Sequence, residues 1–366
     1  MRSDSLISKT ICAVLEKFLS VKENKSKDLG TPGKILIVRQ HNKLGDLLAG
    51  VSLFRAIKET YPGSNITLVG SPFNYHGMVN NKFIDRIFVY DRKKLFNPFY
   101  LLKIWRLLRE EYDIVIVPVI VTMSSISNFL ARMANAKCRI GANYLNGIKN
   151  DTVFFFDRRI DLDWRVHPDS NASERSLDIV RPFGINTKNY RSEITFNGNE
   201  EKSVEKFITA LKMNSEKLLV GLHVGAGIPA HRWSLIKYVN LVKKLKENFL
   251  VEFYLTGSRA DKEEINYMKK NSDVTLGLFF NHSIPEVAAL ISKSNLFISN
   301  DTGIMHVAGT TGTPQISIFG PSNPFNWAPI GANKYFIRKS ELIDDVAVDD
   351  VYHLCNIILN KNESKK

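Results

Sequence analysis

Residues 34–60, KILIVRQHNKLGDLLAGVSLFRAIKET, decide how this chain is read. KILIVRQ is a short apolar run of strand composition. From Asp46 the period changes. Leu47, Leu48, Val51, Phe54, Arg55 and Ile57 recur at helical spacing and predict a helix over 46–60. A strand passing straight into an amphipathic helix is the opening step of an α/β fold. Gly45, at the junction, permits a tight turn and the close approach of another backbone. Asp46 has two readings. It can cap free amides at the helix start, or it can be a carboxylate turned toward a ligand as general base. This stretch by itself favours the cap.

The alternation continues outward. NITLVGS (65–71), RIFVYD (86–91) and DIVIVPVI (113–120) read as strands. The last is continuously apolar, as in a strand covered on both faces. Helices are expected in 97–112 and 125–136, with CRIGAN (138–143) as a short strand. Residues 151–200 lose the rhythm. They hold Pro168, Pro182, Gly184 and Gly198 around a helical stretch at 172–185, and the domain linkage is expected there. The pattern restarts with strand 218–225 and helix 234–248, in which Leu235, Tyr238, Val239, Leu241, Val242 and Leu245 face inward. Strand 251–258, helices 260–270 and 284–294, strand 295–301, helix 302–312 and strand 314–322 follow. Residues 340–361 read as a terminal helix. Strands alternating with helices imply parallel sheets with right-handed crossovers.

The totals suit this. The chain has 366 residues, 44% hydrophobic and 24% charged, enough for two domains with real cores. Its net charge of +13 suggests an anionic partner: a phosphorylated small molecule, an acidic membrane face or nucleic acid. No arginine-rich arm, zinc-finger spacing or aromatic RNA-binding signature is present, so nucleic acid is not expected. Cys12, Cys138 and Cys355 make neither a metal spacing nor a disulfide framework, which fits a reducing compartment. No apolar stretch approaches the roughly 20 residues that span a bilayer. The N-terminal stretch is interrupted by Lys9, Glu16 and Lys17 and lacks a small-residue cleavage site, so no signal peptide is read. Leu6, Ile7, Ile11, Val14, Leu15 and Leu19 lie near helical spacing. A helix docked on the body is the first reading, and a basic amphipathic helix on anionic lipid the second.

Ligands of such sheets bind beyond the carboxyl ends of the strands. Two further stretches sit there. In HVGAGIPAHRWS (223–234), Gly225, Ala226 and Gly227 leave room for a ligand, and His231 and Arg232 bring charge to a helix entrance, a ready anion site. The plainer reading is a flexible loop over a packed Trp233. In SNDTGIMHVAGTTGTP (299–314), Asp301, Thr302 and Gly303 open a helix. The Thr302 hydroxyl and the amides of 302–304 can cradle phosphate, with His306 one turn on. The plainer reading is an Asp cap and a core histidine. Glu263 and Glu264 can accept from a ribose, or simply be a solvated helix face. Asp161 and Asp163 imitate a metal-binding DxD but lack a partner cluster, so neither a metal site nor a cofactor is expected. A nicotinamide dehydrogenase is disfavoured, because no G-x-G-x-x-G follows the first strand.

These stretches, with the linker H-x₆-ERSLDIVRPFGI starting at His167, resemble in order and spacing the bacterial lipopolysaccharide heptosyltransferases of glycosyltransferase family 9, across roughly residues 34 to 340. The resemblance implies a GT-B α/β fold: two Rossmann-like parallel-sheet domains facing across a cleft, preceded by an N-terminal helical extension. The expected divisions are 1–33 (extension), 34–190 (acceptor domain), 191–340 (donor domain) and 341–366 (C-terminal helix and tail). It implies an inverting, metal-independent enzyme using a nucleotide-diphosphate sugar, ADP-heptose, and a lipopolysaccharide-core or lipid-linked acceptor. Asp46 then corresponds to the catalytic base. Thr302 and Gly303 correspond to donor-diphosphate contacts, Asp301 to a residue holding sugar or loop, and His306 to a further site residue. Gly225, Ala226, His231 and Arg232 fall on the same donor side. Glu263 or Glu264 resembles the ribose-binding glutamate, and His282 occupies a nucleotide-neighbour position. Where the family commonly has a lysine before the Arg/His-Trp pair, this chain has His231 preceded by Ala230. That departure motivates the alternative of a nucleotide- or glycan-binding module without turnover. The expected location is cytoplasmic, with peripheral contact on the anionic inner face of the membrane.

Overall fold

The computed structural model describes residues 9–214 and 216–363. The expected helical positions Leu6 and Ile7 and the tail after Glu363 lie outside the described residues. The chain divides into two compact units, one ending at Tyr190 and the other beginning at Arg191.

In the first unit α1 (Lys9–Leu19) is followed by β1 (Lys34–Val38), α2 (Leu44–Ala49), α3 (Val51–Thr60), β2 (Asn65–Gly70), β3 (Arg86–Val89), α4 (Pro98–Arg109), β4 (Tyr112–Ile116), α5 (Ser125–Met133), β5 (Ala136–Leu145), β6 (Ile148–Lys149), β7 (Arg158–Leu162) and α6 (Ala172–Arg175). The sheet order is β3-β2-β1-β4-β5-β6, with β7 also paired to β5. Every pairing is parallel except β5 with β6. Leu36 and Val38 of β1 and Val115 of β4 pack with Leu107 of α4 and Leu130 and Ala131 of α5 in one core, so α4 and α5 share a face of the sheet.

The second unit carries α7 (Gly198–Ala210), β8 (Leu218–His223), α8 (Leu235–Asn248), β9 (Val251–Gly257), α9 (Lys262–Asn271), β10 (Leu276–Phe280), α10 (Ile284–Ser292), β11 (Leu296–Asn300), α11 (Gly303–Gly309), β12 (Gln315–Ile318), α12 (Pro324–Trp327), β13 (Lys334–Ile337) and α13 (Val348–Glu363). All six strands are parallel, in the order β10-β9-β8-β11-β12-β13. The terminal helix α13 packs Val351, Cys355 and Leu359 into the core of this same unit, beside Leu241 and Leu245 of α8.

Both sheets have the doubly wound order in which the first strand lies between the second and fourth. The direction of winding reverses between β1 and β4, and again between β8 and β11. Each reversal leaves the loops beyond two neighbouring strands to diverge and open a crevice.

Several expectations are corrected. The helix expected over 46–60 is two helices joined at Gly50, and it starts at Leu44, so Gly45 lies inside the first turn and not in a turn before it. The short strand at 138–143 is ten residues long, and the stretch that lost its rhythm contributes β7 to the same sheet. RRIDL escaped notice because it is partly exposed and begins with two arginines. The helical stretch at 172–185 is helical only over Ala172–Arg175 before tight turns around Pro182. β10 and β13, the outer strands of the second sheet, were not anticipated; each is short and half-exposed.

Candidate active site

At the β1/β4 reversal lies a pocket of about 770 Å³. Gln40, His41, Lys43 and Asp46 reach it from the β1 loop, Phe73 from beyond β2, Arg92 and Lys93 from beyond β3, and residues 121–126 from beyond β4. Asp46 is 8% exposed. It does not cap a helix: Lys43 is the N-cap residue of α2 and makes no side-chain capping bond. Instead Asp46 Oδ2 lies 3.5 Å from Arg39 Nη2. Arg39, only 2% exposed, was missed in the sequence because it looks like the polar tail of an apolar strand. Its Nη1 also lies 2.6 Å from His41 Nδ1. Burial lowers the Arg39 pKa and the nearby Asp46 opposes that shift. Burial, aided by Arg39, Arg92 and Lys43, lowers His41 to about 3. His41 is therefore neutral near pH 7, and accepting from Arg39 at Nδ1 puts its proton on Nε2.

The β1 loop is pinned from below. Asn74 Nδ2 donates to the His41 carbonyl at 2.5 Å and Ser71 Oγ to the same oxygen at 3.2 Å. Gln40 Nε2 donates to Ser124 Oγ, the N-cap of α5, at 3.0 Å. The pocket thus combines the buried Asp46 carboxylate with a wall bearing Lys43, Arg92, Lys93 and the half-buried Asp91.

At the β8/β11 reversal the organiser is Asn300, fully buried at the end of β11. Its Nδ2 donates to the carbonyls of Val224 and Gly225 at 3.0 and 3.1 Å. Its Oδ1 accepts from Trp233 N and Tyr238 OH at 3.1 and 3.0 Å. One amide therefore holds both ends of the 224–233 loop. Trp233 is itself buried and donates through Nε1 to the Val346 carbonyl at 2.8 Å, so this loop is anchored rather than loose.

On that frame His231 Nδ1 meets Asp301 Oδ2 at 3.0 Å, and Arg232 Nη1 meets Glu264 Oε1 at 2.6 Å. Arg232 Nη2 also reaches the Ala226 carbonyl at 3.4 Å. The arginine keeps partial solvent access while Glu264 is buried; Glu263 beside it is exposed on α9. The space at Gly225 is already filled: a Cβ there would lie 2.0 Å from Asp261 Oδ1, whereas Gly227 has open space around it. The α11 cap is Thr302 and not Asp301, its side chain accepting from Ile304 N at 3.2 Å. That bond engages one of the three amides expected to cradle phosphate and leaves Asp301 for His231. Gly303 is the first residue of α11. His306 is buried on α11, edge-on to Trp327 with ring centroids 6.3 Å apart.

His282 stacks on Phe279 at 3.6 Å between centroids and meets Glu286 Oε1 at 3.1 Å. Burial raises the Glu286 pKa, but hydrogen bonds from Ser203, Ser283 and His282 outweigh it and bring the group to about 2. This places His282 in the capping network of α10. Asp161 accepts from Asn143 and Asp163 binds Arg165, which accounts for both carboxylates of the DxD. Among the described residues no group of three or more His, Cys, Asp or Glu could hold a metal ion, and no helix is long and apolar enough to cross a membrane.

Residues 101–347 match the sequence profile of glycosyltransferase family 9 (heptosyltransferase). The lipooligosaccharide heptosyltransferase 2 of Haemophilus influenzae is 23% identical over 316 residues, covering 81% of this chain and 86% of that protein. Among solved structures, a family 9 glycosyl transferase from Veillonella parvula superposes with a TM-score of 0.78 at 18% identity, covering 94% of this chain and 99% of the other. The E. coli ADP-heptose lps heptosyltransferase II superposes with a TM-score of 0.72 at 20% identity, covering 90% and 99%. The fold is that of these GT-B proteins.

Proposed function

The chain belongs to glycosyltransferase family 9, and from that premise we propose that it moves a heptose from ADP-heptose to a lipopolysaccharide-core acceptor by single-displacement inversion without a metal ion. Residues 34–190 take the acceptor and 191–340 the donor. Asp46 is the general base: it removes the proton of the acceptor hydroxyl as that oxygen attacks the anomeric carbon. The ion pair with Arg39 fixes the carboxyl at the pocket wall.

The leaving diphosphate gathers negative charge as the glycosidic bond breaks. Arg232, His231 and the amides of Thr302 and Gly303 neutralise it. Preorganised donors of this kind contribute about 3 kcal/mol each to the transition state. Glu264 acts as a positioning residue, holding the Arg232 guanidinium. His231, its Nδ1 held by Asp301, stands where the lysine of the family pattern would meet phosphate. The observation that carries this reading is the convergence of the His231–Asp301 and Arg232–Glu264 pairs on one strand-order reversal. A lipid-anchored acceptor places the enzyme at the inner face of the cytoplasmic membrane.

The test is a screen of nucleotide-diphosphate sugars for protection against thermal unfolding, followed by a transfer assay with the best donor. ADP-heptose is expected to raise the unfolding midpoint, because a ligand preferring the folded state stabilises it by about 2.7 kcal/mol at a hundredfold excess over Kd. Asp46→Asn is expected to keep that protection while transfer falls by roughly two orders of magnitude or more. Retained transfer removes Asp46 as the base; protection by another nucleotide sugar alone changes the donor.

A further inference from the structure

We propose that the outward side of α4, with α5 beside it and α1 beyond α5, is a docking face for an anionic lipid bilayer. The proposal deepens the function above and rests on it only for the lipid-carried acceptor. Its observations are independent of the transfer reaction. On α4, Leu107 is buried and Tyr100, Ile104 and Leu108 turn toward the sheet, Tyr100 donating to the Val89 carbonyl at 2.9 Å. That leaves Phe99, Leu101, Leu102 and Trp105 in solvent, Phe99 at 78% and Trp105 at 56% exposure. Lys103, Arg106 and Arg109 are exposed among them, and the helix has no acidic residue. A solvated helix face mixes both signs of charge and few large apolar groups. Aromatic and aliphatic bulk interleaved with three cations, with the nearest carboxylates only past the end of the helix at Glu110 and Glu111, is the composition of a helix lying in a membrane interface. Phe96, 97% exposed, extends the apolar surface.

Position strengthens the case. Arg92 and Lys93, a few residues upstream, line the pocket that holds Asp46, so the face begins at the pocket wall. α5 lies beside α4 on the same sheet face and exposes Phe129 and Met133. α1 adjoins α5, where Arg132 Nε donates to the Leu19 carbonyl at 2.6 Å, and it exposes Ile11, Val14 and Phe18. A second copy of the chain docking through α4 would set these cations against their own kind. Acidic headgroups neutralise them, and Trp105 and Phe99 suit the boundary between headgroup and acyl chain.

The test is sedimentation of the full chain, without substrates, with vesicles of phosphatidylcholine alone or mixed with phosphatidylglycerol. Binding to the mixed vesicles is expected, with a blue shift of Trp105 fluorescence. Each cation near an anionic surface contributes about fivefold in affinity, so Lys103→Gln with Arg106→Gln is expected to lower binding on the order of tenfold or more. Phe99→Ser with Trp105→Ser is expected to abolish it. Both variants should keep their circular dichroism, their thermal protection by nucleotide sugar and their transfer to a delipidated acceptor. No binding to mixed vesicles, equal binding to neutral ones, or variants that bind like the parent overturn the proposal. Concentration-dependent self-association lost in Phe99→Ser/Trp105→Ser, without vesicle binding, assigns the face to a second copy. Failure of the donor screen leaves these outcomes unaffected.

Discussion

Arg39 and His41 are a buried cation and a half-buried base in direct contact, and they set a pH dependence that can be measured. The pKa of His41 falls from 6.5 in the unfolded chain to about 3 in the fold. A group whose folded pKa is depressed stays neutral in the fold while the unfolded chain takes up a proton. Its stabilising contribution is therefore complete above pH 6.5 and is lost as pH falls toward 3, at about 1.4 kcal/mol per pH unit. Urea unfolding between pH 7 and pH 4 is expected to reveal this slope, and His41→Asn to flatten it. An unchanged slope in the variant assigns the acid sensitivity elsewhere. Asn300 is the corresponding residue of the second unit. Asn300→Ala leaves two carbonyls, the Trp233 amide and the Tyr238 hydroxyl buried without this partner. A loss of about 3 kcal/mol in urea unfolding is expected, together with weaker nucleotide-sugar binding, since the residue holds the loop bearing His231 and Arg232. Asp46 was recognisable in the sequence as a carboxylate after a strand, but its partner was not. An arginine sealed beneath a loop looks like any other charged residue until the sheet is assembled.

At the scale of elements, the loop after β8 depends on α9. The Gly225 Cα faces the Asp261 side chain so closely that Gly225→Ala must push one of them aside. Asp261 also caps its own turn through Ser258. Gly225→Ala is therefore expected to displace the 224–233 loop and weaken donor protection several-fold, whereas Gly227→Ala, in open space, leaves it unchanged. Equal effects of the two substitutions would mean that this packing does not support the donor side. The strands and helices read from residues 34–145 and 218–322 are present because strongly apolar runs and 3.6-residue stripes leave few alternatives. Edge strands β7, β10 and β13 escaped because an edge buries only part of its surface and so carries a weaker pattern.

At the scale of the whole molecule, two units with separate cores can respond separately to a ligand. If the donor is held by the second unit, ADP is expected to slow amide exchange across 224–233 and 301–306 and to leave 39–46 unaffected. Protection centred on 39–46 would reverse the assignment of donor and acceptor. The net charge of +13 gives the vesicle interaction an ionic-strength dependence, so raising salt is expected to release the protein from anionic vesicles.

The sequence by itself determined the alternation of strand and helix, the restart of that alternation in a second half, and the family. Those features follow from local periodicity, composition and residue order, which a linear string records. Only the tertiary structure decided that Asp46 pairs with Arg39 instead of capping, that Glu264 and not Glu263 meets Arg232, that Asn300 ties a loop 70 residues upstream, and that the bulky residues of α4 face outward. These are partnerships between residues distant in the chain, or questions of which side of a helix the sheet covers. Burial and hydrogen bonding across strands settle them, and neither is written in the order of the residues.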